Sequence, residues 1–274
     1  KSRAPQMLGW LVAAGSGATL LAYCLIMLLW EPLGLSYNVV YLLSGGFCAV
    51  IALVALFAYP QFEAPNPQIK KMILRRRYWL YYALQFMSGA RRQIFVVFAG
   101  FMMVERFGYS VDEITKLMLV TLVANMVLAP ILGRVVHRFG ERNAMAFEYM
   151  GLTCVFILYA GLYWFDWGPM LAAALYVINN IFFALALALK TYFQKIASPG
   201  DIAPTAAVAF TINHIAAVFL PALLGYLWLV SPGSVFFLAA GMAGISLLLA
   251  LLIPRHPAPG NETRFGRSAH QPAE

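Results

Sequence analysis

Long apolar stretches follow one another along the chain, each ended by a short cluster of Gly, Pro or charged residues. Eight of them approach or exceed the ~20 residues that a helix needs to cross a ~30 Å hydrocarbon layer. They are Leu8–Trp30, Tyr37–Tyr59, Tyr78–Val104, Ile114–Gly133, Ala144–Phe165, Met170–Leu189, Ala206–Leu229 and Val235–Ile253. The runs are apolar on all sides rather than alternating in polarity, which excludes the strands of a membrane barrel. A helix satisfies its own backbone N–H and C=O groups, as lipid demands. The pattern predicts an all-α, polytopic transmembrane helix bundle of eight spans.

Composition agrees. Hydrophobic residues make up 62% and charged residues 11% of the 274 residues, and the mean hydropathy is +0.76. So sparse a charged shell cannot cover a soluble domain of this size. Cys24, Cys48 and Cys154 all lie inside apolar runs without a CxxC spacing, so neither a disulfide framework nor a zinc site is expected. The net charge of +8 is explained by its distribution. With the N-terminus inside, fifteen of the nineteen Lys and Arg fall on inner loops and tails, and only Arg106 and Lys116 on outer loops. This bias predicts a multi-pass inner-membrane protein with both ends of the chain cytoplasmic, and no nucleic-acid partner.

The longest inner connection, Pro60–Arg77, is proline-rich and basic. It reads as a linker between a two-helix group, residues 1–59, and a six-helix group, residues 78–253. The tail Pro254–Glu274 is polar with several prolines and is expected to be disordered. Lys1–Gln6 is a basic loop that runs into a full-length span with no signal-peptide core, so the chain is expected to begin within a longer protein.

The loop after the fourth span reads Gly133-Arg-Val-Val-His-Arg-Phe-Gly-Glu-Arg-Asn143. It resembles the signature loop of the major facilitator superfamily, G-x-x-x-D-R-x-G-R-[RK]. Gly133, Arg138, Gly140 and Arg142 match; His137 stands where Asp is usual and Glu141 where a base is usual. The family carries this loop between the second and third helix of each six-helix half, on the cytoplasmic side, and here it follows the second span after the linker. The resemblance implies helices five to twelve of a twelve-helix fold, with the first four missing and acting as partners. It also implies a conformational latch at Gly133, Arg134, His137, Arg138, Gly140 and Arg142. A turn bounded by glycines would let two helices approach, and its arginines would meet helix ends or acids. His137 removes the usual negative charge, so either that latch is weak or His137 is a solvated loop residue. The stretch Ser88–Phe95 also looks similar to bacterial members of the family and indicates no substrate.

Polar residues at membrane depth mark functional candidates, because each costs at least ~2.5 kcal/mol unless paired or hydrated. Arg91 lies about 20 Å in from Tyr78 at ~1.5 Å per residue, and Arg92 points about 100° away from it. Gln85, Asn125, Asn179, Asn180 and Asn213 join them as candidate substrate contacts. Glu148, two turns from the inner surface, and Glu105, about four turns beyond Arg91, look poor as counter-charges. An acid in the missing helices or an anionic substrate would then meet the arginines. The bland alternative is arginines bonded to carbonyls or packing partners. His214, the one histidine inside a span, is a candidate proton carrier with Glu148. The rival reading is a neutral His bonded to a neighbouring helix. In the family the cavity is lined by helices seven, eight, ten and eleven, the spans that carry Arg91, Asn125, Asn179 and His214.

A secondary transporter follows: binding of a small, anionic or carboxylate-bearing solute at the midplane, alternating access, and proton coupling. No P-loop occurs in the sequence. A membrane enzyme would need paired His or a Cys/His cluster for metal or haem chemistry, so no metal, no cofactor and no enzymatic activity are expected. The competing reading is a transporter-like sensor or assembly factor without net flux.

Overall fold

The computed structural model describes residues 4–34, 36–58, 71–165 and 167–265. Ten α-helices run through them: α1 (Ala4–Leu33), α2 (Tyr37–Ala58), α3 (Trp79–Ile94), α4 (Gly100–Phe107), α5 (Val111–Phe139), α6 (Glu141–Trp164), α7 (Pro169–Ala184), α8 (Leu187–Ile196), α9 (Ile202–Val230) and α10 (Pro232–Leu251). No strand forms among the described residues. Seven helical stretches are long and apolar enough to cross a membrane. The eighth expected span is α3 and α4, joined through a single π-helical turn at Phe95–Ala99. It falls outside the seven because it is broken by that turn and carries Arg91, Arg92, Glu105 and Arg106.

Local chemistry sets the ends. Ser110 caps α5: its Oγ accepts from the Glu113 backbone N–H (3.2 Å) while Glu113 Oε2 accepts from the Ser110 N–H (2.8 Å). Gly108 closes α4 with a φ of +67°. Proline opens α7 and α10, where no amide donor is needed. The α7 and α8 helices form one span, tightened at Leu185–Ala186 by bonds to carbonyls three residues back.

The buried core is drawn from α3, α4 and α6–α10, with Val136 of α5. The α10 helix packs along α6, and α3 packs on both α9 and α10. The α5 helix lies mainly against α1. More than half of the apolar window of α6 is buried (56%), but none of that of α2 is. The core thus lies among α3, α4 and α6–α10, and α2 presents its apolar sides outwards.

Two expectations are corrected. The stretch Gly133–Asn143 is not a loop: α5 continues to Phe139, and α6 starts at Glu141. The whole connection is Gly140, whose φ of +82° only glycine adopts without strain. Nor is the tail unstructured from Pro254 onwards. The Tyr192 hydroxyl donates to the Glu262 carbonyl (2.6 Å), Arg264 N–H donates to the Leu252 carbonyl (2.8 Å), and Glu262 and Thr263 are buried. Its prolines and Gly260 (φ +87°) shape a turn that folds back under the bundle. Residues 266–274 lie outside the described residues, as do 59–70, which hold most of the linker.

Candidate functional site

The interior of the six-helix group is built around Arg91. Gly89 and Ala90 before it are buried, and Arg91 itself is 0% exposed. Its Nη1 donates to Ser246 Oγ of α10. The guanidinium lies 4.6 Å from the centre of the Tyr149 ring of α6, a cation–π contact. Glu148, the neighbour of Tyr149, is also 0% exposed, and the charge acting on its carboxylate is that of Arg91. The two do not form a contact ion pair: Arg91 Nε and Nη2 and both oxygens of Glu148 have no hydrogen-bonding partner among the described residues. The packing of α3 and α6 on α10 seals Glu148 in the same interior as Arg91 without bringing the two into contact. Ser246 and Tyr149 were not anticipated. A lone serine inside the apolar run of α10 was the available signal.

The other candidates divide by exposure. Arg92, a helical step from Arg91, is exposed, and Gln85 is half-buried. Asn213 of α9 seats its amide against bare Gly89, where a Cβ would collide with Asn213 Oδ1. His214 is exposed; its Nδ1 lies 2.9 Å from the Phe210 carbonyl of its own helix, with the Phe210 ring 3.9 Å away. Asn179 is 0% exposed with both amide atoms unpartnered, and half-buried Asn125 has an unpartnered Oδ1. Asn180 Nδ2 donates to the Tyr176 carbonyl (2.9 Å). The structure thus joins Arg91 to Ser246 and Tyr149, and Gly89 to Asn213. Asn125 and Asn179 sit on a separate packed pair, α5 and α7.

Away from the basic end, α3–α4 and α9 border an apolar groove of about 870 Å³. Phe98, Phe101, Pro221 and Trp228 line it, with Glu105, whose Oε2 accepts from Trp228 Nε1 (2.9 Å).

At the basic end, Gly133 serves a different contact from the expected one. A Cβ there would lie 2.6 Å from the Pro5 carbonyl of α1, and one at Gly9 would lie 2.6 Å from the Ala129 carbonyl of α5. With buried Ala13 and with Gly17, these small residues let α1 and α5 pack backbone to backbone. Arg134, His137 and Arg138 are exposed and Arg142 half-buried; none makes an ion pair among the described residues. The ion pairs are made by two acids instead. Glu141 Oε1 meets Lys195 Nζ of α8 at 2.7 Å. Asp201 Oδ2, before α9, meets Arg75 Nε at 2.7 Å and Arg77 Nη2 at 2.6 Å and accepts from the Tyr78 hydroxyl at 3.1 Å. No group of His, Cys, Asp and Glu that could hold a metal ion occurs among the described residues.

A search of curated proteins returns no match. The family model described as the Major Facilitator Superfamily matches residues 1–221, from α1 into α9. With seven helical stretches among the described residues long and apolar enough to cross a membrane, and a match over more than half its length, the chain belongs to the Major Facilitator Superfamily, whose members are transporters.

Proposed function

We propose that this transporter moves a small solute bearing an anionic or carboxylate group across the inner membrane by alternating access, coupled to protons. The basic end of the bundle, with both ends of the chain, would face the cytoplasm. The observation that carries the anionic reading is Arg92. It sits about 20 Å along its span, is exposed from the packed core, and has no carboxylate partner among the described residues. A guanidinium so placed is stabilised by an aqueous cavity and by an anion in it. Gln85, Asn213 and Asn125 would supply neutral contacts from α3, α9 and α5, and Asn179 and Asn180 would do so from α7.

Two groups are proposed as proton carriers, and they differ physically. Glu148 is sealed in the core against the charge of Arg91, so its proton state is tied to the packing of α3, α6 and α10. His214 is exposed on α9, and its Nδ1 lies against the Phe210 carbonyl of the same helix. Reconstitution of the full-length protein into proteoliposomes tests the reading. Arg92→Ala should abolish uptake and counterflow of an anionic solute. Glu148→Gln should abolish proton-driven uptake and keep counterflow. If the full-length protein moves no candidate solute and both variants keep the cellular phenotype, a sensor or assembly factor replaces the transporter reading.

A further inference from the structure

The groove bordered by α3–α4 and α9 shares no residue with the contacts proposed around Arg92. Its volume of about 870 Å³ lies within the ~300–1,000 Å³ of small-molecule clefts. Two departures from regular helix shape its walls. Val97 and Phe98 belong to the π-helical turn, a feature that recurs at functional sites. On the α9 wall stands Pro221, which interrupts that helix's own hydrogen bonding. Gly225, one turn on, leaves room: a Cβ there would meet open space. Trp228 is held by its neighbours, with the Phe98 ring stacked at 5.2 Å and Tyr163 edge-on at 5.9 Å. Its Nε1 donates to Glu105 Oε2. Glu105 is the one charged side chain lining the groove among the described residues, and no cation pairs with it there. Arg106, next in sequence, lies instead over the Tyr163 ring at 5.0 Å.

We propose that this groove binds an organic cation with an apolar body, the cation at Glu105 and the body along Phe98, Phe101 and Trp228. Glu105 and Trp228 lie near the ends of α4 and α9, and Val97 and Pro221 lie eight and seven residues further in. At ~1.5 Å per residue the slot runs about 10–12 Å from its charged end to its apolar end. A carboxylate at one end selects the sign of charge, and the aromatic faces beside it add cation–π attraction. The same carboxylate repels a phosphate or a second carboxylate, so anionic solutes and phospholipid phosphates are disfavoured here. A neutral acyl chain would use the walls and leave Glu105 without a counter-charge. The groove is therefore a second site, and binding in it does not depend on what Arg92 meets.

Equilibrium dialysis of the purified full chain in neutral detergent, with protein-free micelles subtracted, tests the proposal. The probes are tetraphenylphosphonium and its neutral counterpart, triphenylphosphine oxide. The expected result is saturable binding of the cation, several-fold tighter than that of the oxide. In E105Q, whose amide oxygen still accepts from Trp228, the cation should weaken several-fold to the level of the oxide. G225L places a side chain in the open space of the groove and should weaken both probes. D112N removes an exposed acid just beyond α4 in the chain and should leave both unchanged. Absence of saturable cation binding, equal affinities for the two probes, a wild-type preference in E105Q, unchanged binding in G225L, or an equal loss in D112N would each overturn the proposal. So would displacement of the cation by equimolar phosphatidylethanolamine, which would make a lipid ammonium group the occupant.

Discussion

The basic end of the bundle and its interior treat buried charge in opposite ways. At the end, Asp201 and Glu141 are nearly sealed from solvent, with side chains 5% and 2% exposed, and each has a cation in contact. In the interior, Arg91 and Glu148 are both 0% exposed and leave four polar atoms without a hydrogen-bonding partner among the described residues. Burial makes an unpaired charge expensive in either place, and contact geometry is what offsets it. The end is therefore a set of clasps, in which contacts tie α6 to α8 and the entry of α3 to the start of α9. The interior residues are incomplete in hydrogen bonds, so their energy depends on how three helices sit against one another. A transporter that rocks between states has more use for the second arrangement at its centre, and for the first where two elements must hold.

The largest test of this contrast is Arg91→Met. It removes the Arg91 donor from Ser246 and the charge facing Glu148, and losing a charged hydrogen bond in a sealed interior costs about 1.5–3 kcal/mol. Thermal unfolding of the detergent-solubilised protein should show a large drop in Tm, and R91M/E148M should recover most of it. A double variant as unstable as R91M would show that the two charges do not act as a unit. Asp201→Ala comes next, with an expected loss of about 2 kcal/mol from charged hydrogen bonds. Because the Arg75 and Arg77 side chains are 40% and 39% exposed, the gap to wild type should narrow in high salt, which screens exposed pairs. The R91M gap should not. Gly133→Ala drives a methyl against the Pro5 carbonyl, and overpacking against backbone costs about 1–2 kcal/mol. Spin-label distances between α1 and α5 should lengthen in that variant. His214→Ala is expected to change stability by less than about 0.5 kcal/mol, since the ring is exposed and its hydrogen bond is to its own helix. Any transport defect in that variant would therefore be functional.

Much of the architecture was legible because lipid imposes a one-dimensional rule. Length and apolarity of a run suffice to identify a span, and seven of the eight expected spans appear as long apolar helices, with the eighth completed through its π-turn. The family resemblance at Gly133–Asn143 agrees with the family match over residues 1–221. The site was less legible. Arg91 and Glu148 lie on different helices 57 positions apart, and no local pattern reports which faces of α3 and α6 meet. Gly133 looked like the edge of a loop because Arg134–Phe139 is polar and basic, yet a helix continues for nearly two turns past the apolar run. The tail looked disordered by composition, but Tyr192 supplied a docking point that composition does not record.

The order of apolar and polar residues thus determined, by itself, that the chain is a helical membrane bundle and which end carries the positive charge. Both depend on transfer from water to lipid and on charge near the membrane, which are properties of segments taken singly. The tertiary structure decided which buried charges share an environment, which glycine meets which backbone, and where the tail docks. Those depend on the rotation and close approach of helices, and helix packing sets them through contacts between residues far apart in the chain.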